Sequence, residues 1–235
     1  MEHRPSDRDI AVERKRAAAR AAVAEVEDRM LVGLGTGTTT DFAIAALGER
    51  IAGGLEVTAV VTSGATERSA AAAGVPVRRF DALAKLDLVL DGADEVDPQL
   101  RAIKGKGGAL LREKIVATAA ERTIVMIDDS KQVPRLGRGF VPVEVLPFAV
   151  SFVAHRIAQL GAKLCQRTAG LDAYRTEQGN LLLDCAFGEI EDVPRLAAAL
   201  SAIPGLLGHG LFLDEIDDVY VGRSDGVIHL TRGAP

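Results

Sequence analysis

The sequence predicts an α/β fold, a mostly parallel sheet with helices on both faces, joined to a smaller α+β unit. Three observations carry this. Between residues 30 and 127 short apolar β-type runs alternate with alanine-rich helical segments, as a parallel sheet with covering helices requires. Several of these runs end in glycine, threonine or carboxylate residues, the chemistry found at strand carboxyl ends in open α/β sheets. Beyond Gly139 the order of elements changes to βαββαβ, the split-βαβ or ferredoxin-like arrangement.

Composition narrows the function classes. With 235 residues and 48% hydrophobic content the chain can bury one large core or a core plus a smaller one. No run of about 18 apolar residues is present and the charged amino terminus lacks an apolar signal region, so a cytoplasmic protein with no membrane partner is expected. Cys165 and Cys185 lie in apolar strand-like segments without a Cys-x-x-Cys partner or a histidine at ligand spacing. They are expected to be buried thiols rather than a disulfide or a zinc site. A net charge of −5, no Trp and two Tyr argue against a nucleic-acid surface. An anionic ligand must therefore be held by local positive groups.

The first helix is expected over residues 10–27, where Val12, Ala19, Val23 and Val26 share a stripe. A short strand at 30–34 then runs into Gly33-Leu-Gly-Thr-Gly-Thr-Thr-Thr40 and a helix at 41–51. Strand, glycine turn and helix start together make an anion site, because unpaired N–H groups and the positive end of the helix dipole converge there. No Lys follows the glycines as in a P-loop, and Thr40 stands where a dinucleotide fingerprint has its third glycine. The next strand, 55–61, ends in Thr62-Ser63 rather than an acidic ribose ligand. Nucleotides are thus disfavoured, while the hydroxyls of Thr36 and Thr38 to Thr40 suit a small phosphate group or serve as simple helix caps.

A helix at 64–73 and strands at 75–80 and 86–90 follow. The last of these empties into Asp91-Gly-Ala-Asp-Glu-Val-Asp97, four carboxylates within seven residues. Lys104-Gly-Lys-Gly-Gly108 then opens a helix at 108–121 that carries Glu113, and a strand at 123–127 ends in Asp128-Asp-Ser-Lys131. Either half of this stretch alone also reads as a solvated acidic turn or a glycine-capped helix; together they point to a site. The crevice rule for parallel sheets places Thr36 to Thr39, Thr62-Ser63, Asp91 to Asp94 and Lys131 along one sheet edge.

The second pattern comprises a strand at 141–146, a helix at 148–160, strands at 163–168 and 181–187, a helix at 191–202 and a strand at 206–213. Short strands at 219–222 and 227–230 are expected to return to the first sheet. The predicted division is 1–138 plus 209–235 for the parallel-sheet domain and 139–208 for the α+β domain. Scattered polar residues assign the latter to packing or oligomerisation.

Taken in order, Gly33-Leu-Gly-Thr-Gly-Thr-Thr, Asp91-Gly-Ala-Asp-Glu, Ile103-Lys-Gly with Arg112-Glu-Lys-Ile115, Ser130-Lys131, Pro142-Val-Glu-Val145 and Ile203-Pro-Gly resemble ribose-5-phosphate isomerase of the type A family. The resemblance spans nearly the whole chain. It implies a Rossmann-like first domain and interconversion of ribose 5-phosphate and ribulose 5-phosphate through an enediolate, in the non-oxidative pentose phosphate pathway, with no cofactor and no metal. It implies Glu113 as the proton-transferring base, Asp91 and Asp94 on substrate hydroxyls, and Lys104 facing the reacting oxygens. Thr36, Gly37, Thr38 and Thr39 with Lys131 would bind the rest of the substrate including its phosphate, and Gly92, Ala93, Gly105, Lys106 and Gly107 would line it. Lys15 stands where the family often has a basic residue near the phosphate. A homo-oligomer, dimer or tetramer, is the family expectation. Two positions depart from the family pattern: Lys106 interrupts a loop that is otherwise nearly all glycine, and Leu111 replaces a usual Thr.

The chemistry follows from the residues as well. Moving a carbonyl between neighbouring carbons needs a base that takes a proton from one and returns it to the other, and an electrophile for the enediolate oxygen. A carboxylate and an ammonium suffice. Two other classes remain open at this level: a sugar-phosphate sensor, and a CoA-transferase-like enzyme with a glutamate nucleophile. Against the first, only about 29 residues precede the first strand, with no recognition helix. Against the second, the chain is short for a CoA cleft. An isomerase acting on a different sugar phosphate is the remaining alternative within the resemblance.

Overall fold

Strands that are apolar on both faces have to be covered on both faces, and the central strands here are of that kind. In the computed structural model, which describes residues 6–233, six strands form one sheet in the order Gly226–Thr231, Asp218–Arg223, Ala120–Asp128, Leu86–Gly92, Leu31–Leu34, Thr58–Val61. All neighbours are parallel except Gly226–Thr231, which returns as an antiparallel hairpin on the edge. From Leu31–Leu34 the chain passes to Thr58–Val61 on one side and then to Leu86–Gly92 on the other. The order therefore reverses between the strands ending at Leu34 and Gly92, and a crevice opens at such a reversal.

Leu34, Leu88, Leu90, Ile124 and Met126 pack with Ala43, Ile44 and Leu47 of helix Thr38–Ala52 and with Ala18, Ala19 and Ala22 of helix Asp7–Val23. The alanine stripe lets the first helix approach closely. That helix begins earlier than the apolar pattern suggests because Ser6 caps it in a capping box with Asp9. It ends at Val23, and Arg50 donates to the carbonyls of Val23 (2.5 Å) and Val26 (2.7 Å) beyond its end. Val60, Leu86, Val89 and Val116 form the smaller core.

A polar network ties the last two strands to this unit. Arg122 donates to Asp218 (2.6 Å) and Glu25 (2.9 Å), Tyr220 to Glu25 (2.6 Å), and Thr231 (2.9 Å) and His229 (2.6 Å) to Asp218. Burial acts to raise the Asp218 pKa, but the bonds from Arg122, His229 and Thr231 outweigh it and hold the carboxyl below its ordinary 3.8. The Tyr220 hydroxyl and then Arg122 hold Glu25 below its ordinary 4.5. Burial, with Glu25 beside it, pushes Tyr220 up to about 12. Both carboxyls are depressed in the folded state, so their contribution is complete above the unfolded values and is lost as pH falls through the folded ones. The thermal midpoint is expected to fall below about pH 5, and less steeply in Asp218→Asn. Equal slopes in a pH series of thermal melts would refute this.

The second unit holds a four-stranded antiparallel sheet in the order Leu206–His209, Val141–Val145, Leu181–Ala186, Lys163–Gln166. With helices Val150–Gln159 and Val193–Ser201 this is the split-βαβ topology. Its core gathers Val143, Val145, Val153, Ile157, Leu183, Val193 and Leu200.

Several expectations are corrected. The first compact unit runs to Ala93, then Val116–Gln132 and from Glu215 on; the second is Asp94–Ile115 and Val133–Asp214. Residues 94–115, 133–138 and 209–214 thus leave the parallel-sheet domain to which the sequence assigned them. The reason is a three-stranded sheet of Glu95–Val96, Ala102–Ile103 and Leu211–Phe212, whose Ile103 and Leu211 join the second core. The strand expected at 206–213 is accordingly two strands in different sheets, divided at Gly210. The strand at 75–80 shrinks to one bridge, Ala59 with Val77, next to Pro76, which lacks a donor. Cys185 is buried, its thiol pushed up to about 12 by that burial, but Cys165 is exposed because it alternates with core-facing Leu164 and lies opposite Asp184 on the other face of the sheet.

Candidate active site

In the second unit the acidic and glycine-rich stretches are held backbone to backbone. Asp94 donates its amide to Ile103 (2.8 Å), and Lys104 donates its own to Gly210 (2.9 Å). A Cβ on Gly210 would lie 2.2 Å from the Lys104 carbonyl oxygen, so the division between the two late strands has to be glycine for Lys104 to sit there. Gly105 (φ 104) and Gly108 (φ 87) then turn the chain in a conformation that L residues avoid, closed by the Gly108 amide on the Gly105 carbonyl (3.0 Å). Helix Leu110–Ala119 follows, with Glu113 in its first turn.

The turn folds back far enough to bring Lys104 Nζ to 3.3 Å from Glu113 Oε2. Both residues are buried, with 4% and 3% of their surface exposed. Lys104 Nζ also lies 5.4 Å from the centroid of the Phe212 ring, and Lys114 Nζ 4.1 Å from it, while Lys114 donates to the Leu211 carbonyl (2.5 Å). In such a place a charge–charge interaction is screened far less than in water. The pair is equipped to pass a proton and to stabilise an oxyanion.

Lys106 is exposed and its φ is not positive; among the described residues only Arg29 and Leu100 are non-glycine residues with positive φ. The positive φ angles of this loop fall on Gly105 and Gly108, so a lysine here costs no backbone strain. Its amide donates to Asp94 Oδ2 (3.1 Å) and its ammonium lies 5.5 Å from the Phe140 ring centroid. Lys106→Gly is therefore expected to keep turnover within about tenfold, below roughly 1.4 kcal/mol in the barrier. Any loss should appear in KM and shrink at high salt. A steady-state comparison at two salt concentrations checks it, and a rise of well over tenfold in the glycine variant would mean that Lys106 retunes the site for another substrate.

The first unit gathers the other residues at strand carboxyl ends. Thr36 Oγ1 lies 2.9 Å from both Thr62 Oγ1 and Ser63 Oγ and 3.1 Å from Thr66 Oγ1, so the ends of Leu31–Leu34 and Thr58–Val61 share a hydroxyl cluster. Gly37 precedes helix Thr38–Ala52 with φ 135 and no side-chain cap, so the threonines do not cap this helix. Thr38 is exposed, whereas Thr39 is buried beside Gly92. Asp91 is buried against the Gly35 backbone; its Oδ1 accepts from the Gly92 amide (2.7 Å) and Thr40 (3.4 Å). Lys131 is half-buried in the turn Asp129–Lys131, and Lys15 Nζ lies 3.8 Å from Asp128 Oδ2.

Sequence reasoning missed two supports. Buried Glu95 accepts the amides of Gly137 (2.8 Å), Arg138 (3.2 Å) and Gly139 (2.5 Å), anchoring the loop before Val141–Val145. Thr66 closes the hydroxyl cluster by donating to the Gly35 carbonyl (2.8 Å). The carboxylate inside the acidic motif and the glycines of Gly137-Arg-Gly139 were the only signals for the first.

Fold and geometry together define an α/β protein with a lysine and a glutamate buried side by side behind a glycine turn. Residues 58–226 match the family model of ribose 5-phosphate isomerase A (phosphoriboisomerase A), and the chain belongs to this family. It is 51% identical over 222 residues to ribose-5-phosphate isomerase A of Sphingopyxis alaskensis, covering 94% of this chain and 97% of that protein. It is 45% identical over 223 residues to the protein of the same name from Thermomicrobium roseum, covering 93% of each. Among solved structures it is similar to a D-ribose-5-phosphate isomerase in complex with phospho-erythronic acid, with TM-score 0.91, 37% identity and 94% and 99% of the two chains covered. The ribose 5-phosphate isomerase A of Methanocaldococcus jannaschii matches with TM-score 0.89, 35% identity and 93% and 98% coverage.

Proposed function

We propose that this chain interconverts ribose 5-phosphate and ribulose 5-phosphate, the step of the non-oxidative pentose phosphate pathway carried by the family to which it belongs. The observation that carries this reading is the buried contact of Lys104 Nζ with Glu113 Oε2 at 3.3 Å. In the open-chain aldose, Glu113 takes the proton from C2 while the electron pair moves onto the C1 oxygen, giving the enediolate. The C2 hydroxyl proton passes to the C1 oxygen, the same carboxyl group returns the abstracted proton to C1, and the product carries its carbonyl at C2 and a hydroxyl at C1. Lys104 supplies positive charge at the oxygens where negative charge develops, and such stabilisation is usually the largest single contribution to the rate. An acid such as phospho-erythronic acid, held by the solved relative, presents a carboxylate where the enediolate presents two oxygens.

In this reading Asp91 and Asp94 take substrate hydroxyls. Thr36, Gly37, Thr38 and Thr39 with Lys131 take the phosphate end, the uncapped helix start offering amide donors to it. Lys15 adds positive charge. Self-association through the second unit fits its exposed Phe148 (96%) and Phe152 (48%), one turn apart. No helix among the described residues is long and apolar enough to cross a membrane, and we place the chain in the cytoplasm. A coupled assay that follows ketose formation from ribose 5-phosphate tests the activity, and its absence with pure folded protein refutes it.

A further inference from the structure

We propose that Arg167 is a positioning residue for the reaction, gripping the glycine loop that separates Lys104 from Glu113. This rests on the isomerase reading of the pair. A loop of Gly105, Gly107 and Gly108 has more conformations to lose than any other composition, so something outside it must hold it. Arg167 follows the edge strand Lys163–Gln166 and is 14% exposed. Its Nε and Nη2 form a fork on Asp184, at 3.0 and 2.5 Å. The fork fixes the plane of the guanidinium. The remaining nitrogen, Nη1, then donates to the carbonyls of Lys106 (2.9 Å) and Gly105 (3.3 Å).

The surroundings reinforce the grip. Between Arg167 and Tyr174 the chain makes a small hairpin, Thr168–Ala169 with Asp172–Ala173, closed by the Tyr174 amide on the Arg167 carbonyl (2.9 Å). It brings Tyr174 against the far end of the loop, where a Cβ on Gly108 would lie 2.3 Å from the phenolic oxygen. The guanidinium lies 5.7 Å from the Phe140 ring centroid and 5.9 Å from that of Tyr174. Just past the hairpin, Glu177 pairs with Arg112 (2.5 Å), the residue before Glu113. An ion pair with Asp184 alone needs no hairpin and leaves Nη1 unused. Spending that nitrogen on two loop carbonyls ties the α+β sheet to the geometry of the catalytic pair, where a displacement of about 1 Å can cost on the order of 10² in rate.

The test compares parent, Arg167→Ala, Asp184→Asn and Leu171→Ser, the last a change at the exposed hairpin tip. Steady-state kinetics with ribose 5-phosphate are combined with hydrogen exchange of the 105–108 amides. Arg167→Ala is expected to lower kcat by about tenfold or more with KM changed less, and millimolar guanidinium should restore part of it. Asp184→Asn should give a smaller fall, Leu171→Ser none, and the 105–108 amides should exchange faster in the first two variants while the parallel sheet is unchanged. Turnover within twofold of the parent in Arg167→Ala, unchanged loop exchange, or faster exchange spread evenly over the second unit overturns the proposal. A folded parent without isomerase activity refutes the function instead, and loop exchange alone then decides on the grip.

Discussion

Glu113→Gln lowers kcat by about 10²-fold or more, the typical contribution of a positioned base, while substrate binding survives. The substitution keeps size and hydrogen-bonding capacity and removes only the ability to take a proton. It also removes the negative partner of Lys104, and breaking a buried pair on one side costs stability, on the order of 3–5 kcal/mol. A thermal melt therefore accompanies the kinetics, which are read well below the variant's midpoint. If the variant keeps a rate within tenfold of the parent, Glu113 is not the base. The comparison of kcat with KM separates the roles, because a group needed only in the transition state changes kcat and kcat/KM together.

Gly35→Ala is the second large effect, in the first unit. A Cβ at this position would lie 1.8 Å from Asp91 Cγ and Oδ1 and 2.3 Å from Oδ2. These are far inside contact distance, so the buried carboxylate has to leave its place. Overpacking of this kind costs about 1–3 kcal/mol, and if Asp91 holds a substrate hydroxyl, kcat/KM falls with it, by roughly tenfold for each 1.4 kcal/mol of lost transition-state binding. Gly48→Ala is the comparison. Its Cβ would meet the Ala73 carbonyl oxygen at 2.4 Å, away from any residue assigned to substrate, so it should lower the melting temperature and leave kcat/KM close to the parent's. Equal kinetic losses in the two variants would mean that Asp91 has no part in binding.

What the sequence determined by itself was whatever depends on local pattern. Apolar runs closed by Gly33 to Thr40, by Asp91 to Asp97 and by Asp128 to Lys131 specify parallel strands with polar carboxyl ends, because side-chain periodicity and turn chemistry act over a few residues. The split-βαβ order after Gly139 was legible for the same reason, and the pairing of a lysine-glycine turn with a helix carboxylate named Lys104 and Glu113 together. Tertiary structure alone decided which core each segment joins. Residues 94–115 read as part of the parallel-sheet domain, yet Ile103 pairs with Leu211, more than a hundred residues away, and enters the second core. Ser6, outside the apolar stripe, starts the first helix, and Gly210, inside an apparently continuous strand, divides it beside the Lys104 backbone. The fork of Arg167 on Asp184 and its third nitrogen on the glycine loop left no trace in the pattern. Contacts between residues distant in sequence are set by which buried surfaces and backbone groups find partners when the chain is compact, and no periodicity within either segment encodes them.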